Sequence, residues 1–168
     1  MILLNSKKAQ FLIKWVLIFI ITLICQIALA PLLMVKEVSP NFICTIIILS
    51  AFIGKIEISL PFALVSAWTI SSLLDDHYFF FSWLILPFLV IYTLPKISID
   101  KNIMRILQVI LCSLYVELIN AFFISMPYGI NFLLNNYWIL LITPLLNGLL
   151  AIPLNIILSS IFNFNEQI

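Results

Sequence analysis

Asp75, Asp76 and His77 stand in a row after a long apolar run, and Glu117 lies deep inside another. Two carboxylates beside an imidazole are groups that can bind a metal ion or move a proton. Three adjacent residues at a helix end cannot all turn toward one ion, however, and a terminal aspartate is an ordinary solvated boundary. Tyr78, Phe79, Phe80, Phe81 and Trp83 follow, a run that suits the aromatic belt where a membrane meets water. No metal site is therefore expected at this cluster. Cys25, Cys44 and Cys112 are scattered through apolar runs without a C-x-x-C pair or a Cys/His cluster, which speaks against zinc and haem. The chain has no phosphate-binding glycine loop, no G-x-S-x-G elbow and no H-E-x-x-H pair. An intramembrane enzyme would have to use Glu117 or the Asp75/Asp76 pair, and neither has a second catalytic partner at matching depth. The expectation is a protein that is not an enzyme and needs no cofactor.

Glu117 remains the most demanding residue, because a charged side chain at mid-membrane costs at least about 2.5–3.5 kcal/mol. Ser113 precedes it by four positions and Asn120 follows by three, so the three share one helix face. Further along, Asn147, Ala151 and Asn155 recur every four residues. Ser113, Glu117, Asn120, Asn147 and Asn155 thus form a candidate intramembrane polar cluster, with Glu117 expected to bond Asn147. Such a cluster either glues helices together or serves transport or partner contact.

A second pattern runs through SLPFALVSAWTISSLLDD, where Ser59, Ala63, Ala67 and Ser71 repeat every four residues and the next step lands on Asp75. Lipid tails are as apolar as leucine, so membrane helices associate by close packing, and small residues let backbones approach. The stripe is a packing face of the bundle or a docking face for a partner.

The elements that must carry these residues are membrane helices. Of 168 residues, 64% are hydrophobic and only 9% charged, with a mean hydropathy of +1.25. A soluble globular chain is about 25% charged. A net charge of +1 provides no basic surface for nucleic acid. Charged and Pro/Asn breaks divide the chain into six apolar segments, at about 15–35, 41–54, 58–74, 78–95, 106–126 and 138–162. A full crossing takes about 20 residues, so the second and third are short and could form one re-entrant hairpin. Ala28-Leu29-Ala30 resembles a signal cleavage site, but Pro31 follows directly and the apolar run is long, so the first segment reads as a retained span. With six spans, Lys7, Lys8, Lys14, Lys55, Lys96, Lys101 and Arg105 fall on one side and only Lys36 on the other. Basic residues favour the cytoplasm, which places both termini there. The expected fold is an all-α integral membrane protein, a single bundle of six transmembrane helices in contact with lipid.

In this order of features the chain resembles the rod shape-determining protein MreD family, small bacterial inner-membrane proteins with about six spans and cytoplasmic ends. The likeness covers nearly the whole chain but rests on short motifs. Pro40-Asn41 matches the pair that often opens the family's second span, and Ser71-Ser72-Leu73-Leu74-Asp75 stands where the family has Gly-x-x-x-Asp. Asn147-Gly148 with Pro153 matches the last span. Ala67 and Ser71 replace family glycines, and His77 with the aromatics replaces the glycine turn after the aspartate. The resemblance implies a non-enzymatic part of the cell-wall elongation machinery. Its partners would be an MreC-like protein, the MreB filament and the wall synthases, with Asp75 fixing the outer end of its helix. The alternative is the substrate-binding S component of an energy-coupling-factor vitamin transporter, which has a similar architecture. That subunit needs a polar pocket and usually an Ala-x-x-x-Ala face on an early helix, to which Ala63/Ala67 is the nearest match.

Overall fold

The computed structural model describes residues 6–74, 78–93, 101–129, 131 and 137–162. Among them lie five α-helices: α1 (Ser6–Ala28), α2 (Phe42–Leu74), α3 (Tyr78–Thr93), α4 (Lys101–Tyr128) and α5 (Tyr137–Phe162). A 3-10 turn, Ala30–Leu33, joins the first two. The chain is all-helical, the architecture that lets a segment satisfy its own backbone groups in lipid. Within α1, α4 and α5, the stretches Ala9–Ala28, Asn102–Phe123 and Tyr137–Phe162 are each long and apolar enough to cross a membrane. Shorter apolar helical stretches cover Phe42–Phe52, Ile56–Ser72 and Phe81–Tyr92. Asp75, Asp76 and His77 lie outside the described residues.

α1 stops at Ala28, short of the 15–35 segment read from the sequence. Pro31 is the cause: it lacks an N–H and its ring would clash with the carbonyl four residues back. It opens the 3-10 turn instead. The chain then reverses at Val35 and Val38, whose backbones exchange hydrogen bonds of 2.9 and 3.0 Å. Between them Lys36 and Glu37 have φ values of 49° and 67°. Two positive φ angles in a two-residue hairpin are the signature of a type I′ turn, which favours Asn-Gly. Holding lysine and glutamate there costs of order 1–3 kcal/mol per residue. The double variant Lys36→Asn/Glu37→Gly is therefore expected to raise stability by about 1 kcal/mol, read as a higher thermal midpoint in detergent; an unchanged or lower midpoint would contradict the strain.

The second difference is at α2. The sequence reading places two spans on either side of a Gly54–Ile58 link, whereas the structure has one helix of 33 residues, Phe42–Leu74. Gly54, Lys55 and Glu57 weaken a helix only slightly, and no proline falls between the two segments; Pro61 lies inside the second. The two halves still behave differently. From Ile43 to Ala51 every residue is at most 2% exposed, so the first half is buried on all sides. Beyond it, Ser59, Phe62, Ala63, Ser66, Ala67 and Ser71 are buried while Leu64, Val65 and Trp68 are exposed. A helix that is apolar all round belongs in a core, and one with a single buried face belongs at the perimeter.

α2 and α3 make the most extensive helix pair, followed by α4 with α5. The second half of α2 buries mainly small residues, Ser59, Ala63, Ser66, Ala67 and Ser71 beside Phe62, whereas on α3 Trp83, Leu86 and Val90 are at most 2% exposed. At one end of the bundle an aromatic cluster ties α1, α2 and α5 together. Trp15 stacks on Phe162 at 4.7 Å and meets Phe62 edge-on at 6.4 Å. Beside it the Lys14 ammonium donates to the Ile161 carbonyl at 3.0 Å, a cation placed at the negative end of α5.

Candidate functional site

The site is built around a helix that begins inside the protein. Asn41 caps α2: its Oδ1 accepts from the Cys44 amide at 2.9 Å, the usual N-cap bond to the third residue of a helix. The Asn41 amide itself donates to Asn147 Oδ1 at 2.6 Å. The Phe42 amide donates to Gln26 Oε1 at 2.7 Å. Gln26 comes from α1 and Asn147 from α5, ten residues into that helix, or about 15 Å along its axis. The amides that open a helix have no partner in its own backbone. Here three of them receive side-chain acceptors.

Asn147 also reaches α4. Its Nδ2 donates to Ser113 Oγ at 3.1 Å, and Ser113 lies 3.8 Å from the Cys44 sulfur. One asparagine thus ties α2, α4 and α5. The predicted bond from Glu117 to Asn147 is not what forms: Asn147 accepts from the α2 amide and donates to Ser113 instead. Glu117 is half-buried one turn along α4, in electrostatic range of Cys44. Asn120 is 4% exposed, and its Oδ1 has no hydrogen-bond partner.

Asn155 belongs to a separate group nearer the Lys14 end. Its Nδ2 donates to Asn102 Oδ1 at 3.0 Å, and its Oδ1 accepts from Arg105 Nη1 at 2.8 Å. The Arg105 guanidinium also sits 5.9 Å from the Phe52 ring centre. The five residues predicted as one cluster are therefore divided into an Asn147–Ser113 knot, an Asn155 group, and a Glu117–Asn120 pair outside both. Between the first two groups, Gly148 lets the helices close. A Cβ on it would lie 2.5 Å from Ile110 Cγ1. Gly148→Ala is expected to cost about 1 kcal/mol, because Ile110 must leave its rotamer, and Ile110→Ala in the same chain should recover part of the loss in thermal midpoint.

The small-residue stripe is wholly internal. Ser59, Ala63 and Ala67 are 0% exposed and Ser71 is 6% exposed. The Ser71 hydroxyl has no partner, so at that position small size is what counts. Asp75, the continuation of the stripe, lies outside the described residues. Among the described residues no three His, Cys, Asp or Glu side chains converge as a metal site would require. Among the grooves on the surface are two with mainly apolar walls. One, of about 290 Å³, lies between α1 and α2 and is walled by Phe11, Trp15, Phe19, Pro61 and Phe62, among others. The other, of about 560 Å³, lies between α3 and α4 and is walled by residues such as Phe81, Ile85, Tyr115, Leu118 and Phe122.

Sequence reasoning missed Gln26, Arg105 and the part played by Asn41. Pro40-Asn41 carries the usual signal of a helix start, but nothing local to it reveals that the start is buried. Comparison with protein-family models, with curated proteins and with solved structures gives no match.

Proposed function

We propose that this chain is a non-enzymatic membrane scaffold that holds partner proteins of the bacterial cell-wall elongation machinery at a fixed depth and orientation. The reading rests on the resemblance to MreD proteins. The observation that best supports it is where the polar groups go: Asn41, Ser113, Asn147 and Asn155 are spent on tying helices together. The grooves between α1 and α2 and between α3 and α4 offer mainly aromatic and aliphatic walls. Such walls suit lipid chains or apolar helices, and give a water-soluble vitamin little to bond. Six crossings in the bacterial inner membrane accompany this proposal, which requires the Phe42–Leu74 segment to turn back on itself near Lys55 and Glu57 so that each half makes a short crossing. A straight helix of 33 residues would be about 50 Å long, against a hydrocarbon core of about 30 Å. Lys14 and Arg105 lie in the half of the bundle that this topology turns to the cytoplasm.

With the small stripe buried, the partner face falls to α1, where Leu12, Ile13, Val16, Leu17, Ile20 and Ile24 are all between 47% and 66% exposed. The test is a crosslinked pull-down from native membranes with partners identified by mass spectrometry. Recovery of an MreC-like protein with wall synthases supports the scaffold. Recovery of a coupling transmembrane subunit with paired ATPases, and none of the wall machinery, rejects it in favour of the vitamin-transporter subunit.

A further inference from the structure

We infer that Glu117, Asn120 and the backbone of α5 form a binding site for a monovalent inorganic cation inside the membrane. The helix register leads to it. Ser113 bonds Asn147, Arg105 bonds Asn155, and Ile110 abuts Gly148, so α4 and α5 run antiparallel. Carrying that register one turn past the Asn147 knot brings the Leu140–Thr143 stretch opposite Glu117. One further turn brings Leu140 to the level of Asn120. Pro144 is buried on this same side of α5 and has no N–H to give to the Leu140 carbonyl, which is left without its helical donor.

Three oxygen acceptors therefore fall within about one helical turn of one another along α4: the Glu117 carboxylate, the Asn120 amide oxygen and the Leu140 carbonyl. The Asn120 oxygen is enclosed and bonded to nothing. A buried acceptor without a donor costs about 1–3 kcal/mol, so the Asn120 oxygen calls for a partner, and a cation is one that the Glu117 carboxylate and the Leu140 carbonyl can share. The nearest basic residue on the same helix, Arg105, is twelve positions and about 18 Å away, and it is engaged with Asn155. The amides at the start of α2 carry a partial positive charge, but Asn147, Gln26 and Asn41 already occupy those of Asn41, Phe42 and Cys44. What remains of that end is a fraction of a unit charge, less than one carboxylate.

One negative charge with two neutral oxygens matches a single positive charge; a divalent ion would leave the site net positive in hydrocarbon. Hard oxygen donors suit an alkali cation, and carbonyls released by broken helices are the usual means of coordinating one in membranes. A partner's lysine or arginine reaches at most the half-buried Glu117 and leaves Asn120, 4% exposed, without a donor.

The test uses the full chain in detergent, with thermal midpoints followed by tryptophan fluorescence. Sodium chloride, potassium chloride and choline chloride are compared at equal ionic strength and pH. Ligand binding to the folded state raises the midpoint progressively with concentration. The wild type is expected to show a rise in sodium or potassium over choline, and Glu117→Gln and Asn120→Ala are expected to abolish it. Equal midpoints in all three salts overturn the proposal, as does a rise that persists in both variants. Equilibrium binding of radioactive sodium to the wild type and to Asn120→Ala, with potassium as competitor, decides the matter if Glu117→Gln fails to fold. Saturable binding that the alanine weakens at least tenfold supports the site, and absence of saturable binding of either ion overturns it. These outcomes do not depend on which partners the scaffold holds.

Discussion

Asn147→Leu is expected to lower the stability of the folded protein by about 2–4 kcal/mol, the largest loss from any single polar side chain described above. The change leaves the Asn41 amide without its acceptor and Ser113 without its donor at once. In water an exposed amide would find a replacement. At this depth α2 must either keep a bare N–H or pull its first turn away from α5. Ser113→Ala removes the bond from Asn147 and the weak one with the Cys44 sulfur but leaves the α2 amide capped, and should cost about 1 kcal/mol. Both can be measured by reversible unfolding in mixed micelles. If Asn147→Leu stays within about 0.5 kcal/mol of the wild type, as ordinary surface substitutions do, the start of α2 is not sealed in the way described.

Ala63→Leu is the second large effect, at about 1–3 kcal/mol. Ala63 is 0% exposed in the α2 stripe that lies in the most extensive helix pair, so three added carbon atoms must push backbones apart. Its neighbour supplies the control: Leu64 is 41% exposed, and Leu64→Ala should change stability by less than about 0.5 kcal/mol. The comparison separates close approach from hydrophobicity, since the damaging variant is the more apolar one. Equal effects of the two changes would show that the stripe is not a packing seam.

Much of the helical content was legible because long apolar runs have few alternatives in lipid. The last segment was placed almost to the residue, at 138–162 against Tyr137–Phe162. The small-residue stripe was also readable, since a period of four in side-chain size survives whatever the helix packs on. α2 was harder. Ile43 to Ala51 is apolar on every side, and such a run reads equally as lipid-facing or as wholly enclosed. Only the surrounding helices decide, and they lie far away in sequence. The same distance hid the true partner of Asn147. Matching polar residues by depth pairs it with Glu117, but depth says nothing of a backbone amide arriving from Asn41, 106 positions earlier. The end of α1 was misread for a smaller reason, the weight given to continuous hydrophobicity over Pro31.

The buried start of α2 also bears on how the protein is made. Its amides are capped by Gln26, already synthesised when α2 emerges, and by Asn147, synthesised 106 positions after Asn41. Until then the first half of α2 lacks α5 and its second cap, although α1, α3 and α4 have already been made. The nascent chain therefore holds Phe42–Ala51 in a provisional arrangement, and the fifth helix completes the second.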